Sequence, residues 1–209
     1  MAGSRALVHR SLIDELSERL ARRSRDIRIG DPLDSGTQMG PVATRSQLDK
    51  DMQMIARAKS ERASVIAGGE RASIQGMENG FFLQPTILQP KDSGDFIMQE
   101  EVFGPVLSIY PFDDEEEAVA LANGTRFGLA AGVWTSDFAR AHRMARELDT
   151  GTVWINTYRA LAPASPFGGV KASGTGRQNG QDAVYQYLTT KSVWCELGDD
   201  IQDPFVIRT

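Results

Sequence analysis

The stretch VLSIYPFDDEEEAVALANGTRFGLAAGVWTSDFARAHRMARELDTGTVWIN, Val106 to Asn156, decides the fold class. VLSIYPF (106–112) is an apolar run of strand length. DDEEEAVALANG (113–124) then reads as a helix, with acids in the first turn to complement the macrodipole and Gly124 placed to end it. LAAGVWT (129–135) is a second strand. A second helix follows, capped by Ser136, with Phe138, Ala141, Met144, Ala145 and Leu148 expected on its inner face. TVWIN (152–156) is the third strand. Strands that alternate with helices over short connections require parallel pairing and right-handed crossovers. The chain is therefore read as α/β, with a parallel sheet. Such sheets bind ligands beyond the carboxyl ends of their strands, which puts Asn156 to Ala164 at the mouth of a site.

Outward from this stretch the same alternation continues. Ala6 to Arg10 reads as a short strand, and Ser11 starts a helix with Asp14 three residues on, in a capping-box arrangement. Ile13, Leu16, Leu20 and Ile27 recur at helical spacing. A further helix is expected from about Arg45 to Glu61, before the strand SVIAG and an exposed Gly-rich loop, Gly68 to Gly80. YLTTKSVWCEL, Tyr187 to Leu197, alternates enough to read as a closing strand.

Composition sets outer bounds. With 209 residues, 41% apolar and 24% charged, the chain can bury a sizeable core. A net charge of −5 without a basic block argues against a nucleic-acid partner. No apolar run approaches the ~20 residues of a membrane span, so no membrane association is expected. A single cysteine, Cys195, excludes an intrachain disulfide framework and suits a reducing, cytoplasmic compartment. His9 and His142 stand alone, and no spacing of His, Cys or carboxylates suggests a metal site.

Seven motifs carry a family resemblance. They are MAGSR (1–5), GDPLDSGTQMGPV (30–42), QEEVFGPV (99–106), FGLAAGVWT (127–135), GTVWINTY (151–158), PFGGVKASGTGRQNG (166–180) and KSVW (191–194). In this order they resemble the NAD(P)-dependent aldehyde dehydrogenases over roughly residues 1–197. The resemblance implies the three-layer catalytic domain of that family over residues 1–186, with 187–209 an oligomerisation strand and tail. In the family the catalytic cysteine sits just before the segment that MAGSR resembles, one residue ahead of Met1. The expected function is thus the C-terminal catalytic-domain part of an enzyme that oxidises an aldehyde to a carboxylic acid through a thiohemiacetal and a thioester. The chain by itself is expected to be inactive, since nucleophile, general base and dinucleotide domain lie upstream in family order. The alternative is a non-catalytic oligomerisation or nucleotide-binding module. NAD or NADP is the implied cofactor, a small-molecule aldehyde the implied substrate, and a homo-oligomer the implied assembly.

The resemblance also assigns residues. Glu101 and Phe103 match the pair that contacts the cofactor at its nicotinamide end; from the residues alone, Glu101 reads as a surface charge and Phe103 as a core ring before a Gly-Pro turn. Asn156, Arg159, Ser165 and Phe167, with Ala164, match the stretch that lines the aldehyde pocket. Arg159 can hold a substrate carboxylate in a bidentate fork or stand as a solvated loop arginine. Lys171 and Arg177 are expected to anchor their loop, and Gly168, Gly169, Gly174 and Gly176 to permit it through positive φ. Gln178 stands where the family usually has Glu. Glu100 is expected to be solvated, and Cys195 an inert strand thiol.

Overall fold

A computed structural model describes residues 3–195, 197–198 and 205. Strand β1 (Arg5–His9) leads through a single 3-10 turn into helix α1 (Ile13–Arg25), and α2 (Arg45–Ser60) precedes β2 (Ser64–Ala67). Next come β3 (Thr86–Gln89), the one-turn α3 (Phe96–Gln99), β4 (Val106–Phe112) and α4 (Glu115–Asn123). The remaining elements are β5 (Phe127–Gly128), β6 (Ala130–Val133), α5 (Phe138–Glu147), β7 (Thr152–Ile155), β8 (Val170–Lys171) and α6 (Asp182–Tyr185).

One four-stranded sheet has the order β1-β4-β3-β2. β4 is parallel to both β1 and β3, with Ala6 opposite Ile109 and Thr86 opposite Val106. β2 is antiparallel to β3, so the sheet is mixed rather than wholly parallel. Neighbouring side chains on its strands go to opposite faces, as the pleat requires. Leu88 and Val106 join Leu48, Ile55 and Ala58 of α2 in one core. Ile87 and Ile109 join Ile13, Ala21 and Val8 in the other. Both faces are therefore covered, α2 on one and α1 on the other, which is the three-layer arrangement expected.

Several expectations need correction. The strand–helix alternation places β4 in one sheet with β6 and β7; instead β6 and β7 form their own parallel pair, Ala130 opposite Thr152. Both edges of β4 are already hydrogen-bonded, to β1 and β3, which leaves none for β6. Ser11 does not cap α1. The His9 ring accepts from the Ser11 amide at 3.3 Å, and the 3-10 turn Arg10–Leu12 comes before the helix proper. Ile27 lies beyond the helix end. The cap of α5 is Asp137, which accepts from the Arg140 amide at 3.0 Å, one residue later than expected. Phe138, at the first position of that helix, is 79% exposed and stacks edge-on with His142 instead of entering the core, while Ala141 and Leu148 are buried. Asp114 caps α4 by accepting from Glu117, and Glu115 pairs with Arg140 and Arg143 to join α4 to α5. β3, whose Thr86, Ile87 and Leu88 are all buried, had no counterpart in the sequence reading.

The expected closing strand does not form among the described residues. Tyr187 to Cys195 is irregular and exposed, with Val193 80% and Trp194 93% accessible. A strand needs a hydrogen-bonded neighbour, and among the described residues no strand pairs with that segment. Most of the tail beyond Gly198 lies outside the described residues.

Candidate functional site

Two loops carry the residues singled out from sequence. The first runs from the end of α3 into β4. Val102 is buried in the core with Leu48 and Val106 and anchors the loop. The residues on either side of it turn outward: Glu101 is exposed, and Phe103 is 75% exposed with φ +64°. The reading of Phe103 as a core ring is thereby overturned. A left-handed non-glycine residue costs about 1–3 kcal/mol, and an exposed aromatic forgoes its burial energy as well, a combination concentrated at ligand sites. From α2, the Gln47 side-chain amide donates to the Val102 carbonyl at 3.0 Å, and the Lys50 ammonium lies 3.5 Å from the Glu101 carbonyl. Glu100 is not simply solvated. It forms a 2.7 Å ion pair with Arg126, whose guanidinium lies over the Phe127 ring.

The second loop leaves the carboxyl end of β7. Asn156, at φ +51°, spends its side chain on the end of β6: its Oδ1 accepts from the Thr135 amide at 2.9 Å and its Nδ2 donates to the Thr135 carbonyl at 2.8 Å. That makes it a staple between two parallel strand ends. The Trp154 indole donates to the Ala160 carbonyl at 2.8 Å, and the Tyr158 ring meets Trp154 edge-on at 5.6 Å. Tyr158, which sequence reasoning passed over, accepts through its hydroxyl from the Gly3 amide, so Gly3, just ahead of β1, is bound to this loop. The spacing of four residues between two aromatics astride a strand end was the available signal. Arg159, at φ +60°, is exposed and forms no ion pair with any described residue. Ser165 is exposed; Phe167 is half-buried and exchanges two 2.7 Å backbone hydrogen bonds with Gln178.

Behind these loops the anchors are in place. The Lys171 ammonium donates to the Asn123 carbonyl at 3.1 Å and pairs with Asp149 at 3.0 Å; the Arg177 guanidinium donates to the Gly169 carbonyl at 2.6 Å. Of the four loop glycines only Gly174 has positive φ. Gly168 and Gly169 are required for closeness instead, since a side chain at either would strike Gly176 or Ser173. Among the described residues no hydrogen bond or ion pair joins the two loops, and no cluster of three His, Cys, Asp or Glu could hold a metal ion. A cavity of about 270 Å³ is lined by Met98, Gln99, Leu121 and neighbours, and by none of the candidate residues. Cys195 is exposed in the irregular segment after α6, not in a strand. No described helix is long and apolar enough to cross a membrane.

Residues 1–193 match the model of the aldehyde dehydrogenase family. The chain is 47% identical to betaine aldehyde dehydrogenase of Brucella anthropi over 196 residues, which is 94% of this chain and 40% of that protein. Among solved structures, betaine aldehyde dehydrogenase of Staphylococcus aureus in complex with NAD+ superposes with a TM-score of 0.88 at 39% identity, covering 91% of this chain and 38% of that one. PnpE of Pseudomonas sp. WBC-3 superposes with a TM-score of 0.89 at 40% identity, over 98% of this chain and 42% of its own. The chain thus spans about two fifths of the length of these relatives.

Proposed function

The chain belongs to the aldehyde dehydrogenase family, and from that premise we propose that it is the part of an NAD(P)-dependent aldehyde dehydrogenase that carries the nicotinamide-end loop and one wall of the aldehyde pocket. The observation that carries this reading is the outward pair Glu101 and Phe103 flanking the buried Val102. An exposed carboxylate can accept from two ribose hydroxyls, and an exposed ring can hold a flat heterocycle against the reacting carbon. The residues present therefore fit NAD or NADP, which supplies a hydride acceptor when bound. The Staphylococcus aureus relative that superposes on this chain was solved with NAD+.

On the substrate side, Arg159, Ser165 and Phe167 line the approach to the aldehyde. Asn156 and Trp154 hold that loop, and Tyr158 ties it to Gly3. Arg159, a guanidinium with no protein counter-ion among the described residues, favours an aldehyde bearing a carboxylate over one bearing a cation such as betaine aldehyde. The aldehyde becomes an acid through a thiohemiacetal and a thioester, which needs a thiolate beside this loop. Cys195, near the other end of the chain, does not supply it. The 209 residues alone are thus expected to lack turnover, and the one cysteine is consistent with a reducing cytoplasmic setting. The uncovered Tyr187, Val193 and Trp194 support assembly into a homo-oligomer through residues 187–197.

The test is NADH formation, followed by absorbance, with the purified 209-residue chain and a panel of carboxylate-bearing and neutral aldehydes. No turnover is expected. Heat-labile NADH production that survives Cys195→Ser would refute the assignment of the chemistry to a cysteine outside these residues.

A further inference from the structure

We propose that Asp51 is a positioning residue for the segment Glu101–Gly104, clamping it from beneath through Gln47 and through direct contact with Gly104. The inference draws its importance from the cofactor reading of Glu101 and Phe103, but its geometry stands apart from that reading.

Asp51 sits on α2 among Leu48, Met54 and Ile55 and is 0% exposed. An ionised carboxylate so placed is costly unless it is paired. Its Oδ1 accepts from the Gln47 side-chain amide at 2.6 Å, and its Oδ2 has no hydrogen-bond partner. The same Gln47 nitrogen donates onward to the Val102 carbonyl. The carboxyl group also lies directly against Gly104, where any side chain would collide with it, so only glycine lets the backbone close over it. With Lys50 at the Glu101 carbonyl, α2 touches the segment at residues 101, 102 and 104. The residue left between these contacts is Phe103, in the left-handed conformation that persists only where the surroundings over-determine it.

Burial pushes the Asp51 carboxyl above the ordinary range, opposed by the Gln47 hydrogen bond and the Lys50 charge. Lys50 is the charged group acting on it from its own helix; Glu101, on the segment above, turns to solvent. The protonated group can thus be held in the core, whereas ionisation would place a charge beneath the loop and loosen it. The sign follows: the native state binds this proton more tightly than the unfolded chain, so stability declines as pH rises from the unfolded to the folded pKa.

Amide hydrogen exchange by NMR on the full chain tests the clamp, with the Asp51 carboxyl carbon shift locating its titration. Asp51→Asn keeps an uncharged acceptor for Gln47 and should protect the Val106 and Thr86 amides, which donate to the Gly104 and Pro105 carbonyls, as the unaltered chain does at low pH. Above the titration the unaltered chain should exchange there about tenfold faster than Asp51→Asn, a comparison that cancels intrinsic base catalysis. Asp51→Leu should lose protection at all pH values while the melting temperature holds or rises, which a purely structural role would not produce. Wild-type protection in Asp51→Leu, or a carboxyl titrating at or below the ordinary range, overturns the proposal. If Asp51→Leu does not fold, the comparison with Asp51→Asn decides alone. No nucleotide enters these measurements, so failure of the cofactor reading leaves their outcome unchanged.

Discussion

Residues 5–112 and residues 127–195 are built from similar apolar strands and amphipathic helices, yet the first region closes on itself and the second does not. In the first, all four strands belong to one sheet, with α1 on one face and α2 on the other. In the second, strands pair only two by two, and Trp134, Phe138, Val193 and Trp194 remain exposed. Hydrophobic pattern alone does not bury a residue; a strand edge and a facing layer must also exist to receive it. The side chains most clearly offered for chemistry, Phe103 and Arg159, belong to neither core. Left-handed backbone holds each of them out.

The largest effect should come from the closed region. Leu88→Ala, at a fully buried position between β3 and α2, is expected to cost about 2–5 kcal/mol in denaturant unfolding. A cost below half a kcal/mol would mean that the two regions do not differ in packing. Next is the staple between β6 and β7. Asn156→Ala removes two hydrogen bonds to Thr135, at about 0.5–1.5 kcal/mol each, and should free the Tyr158 loop, visible as faster exchange of the Thr135 amide.

Val193→Lys sharpens the contrast. At an exposed position it should change unfolding free energy by no more than about 0.5 kcal/mol. Light scattering should nevertheless move from a larger species toward monomer. An unaltered chain that is already monomeric at micromolar concentration would remove the case for assembly through residues 187–197. The smallest effect is electrostatic. Arg143, then Arg140, hold the Glu115 carboxyl below its usual range, so that pair stabilises above the unfolded pKa and is lost as pH falls through the folded one. Glu115→Gln should therefore flatten the acid limb of a pH–stability curve slightly and leave the neutral region nearly unchanged.

Local chemistry was legible wherever neighbours in sequence supply the partners. The acidic first turn of α4, the extent of α2, the parallel run of β6 into β7 and the anchoring by Lys171 and Arg177 all follow from residues close to one another or from motif order. The resemblance of seven ordered motifs was enough to place the chain in its family. Tertiary structure alone decided which strand edge was already taken, and so separated β4 from β6. It turned Phe103 and Phe138 outward, gave Asn156 to Thr135, brought Gly3 to Tyr158, and set a lone carboxyl group, Asp51, beneath the loop of Glu101. Each of these depends on partners 21 to 155 residues apart, or on space left by another layer. Periodicity reports which face of an element is apolar; it carries no information about what stands opposite that face.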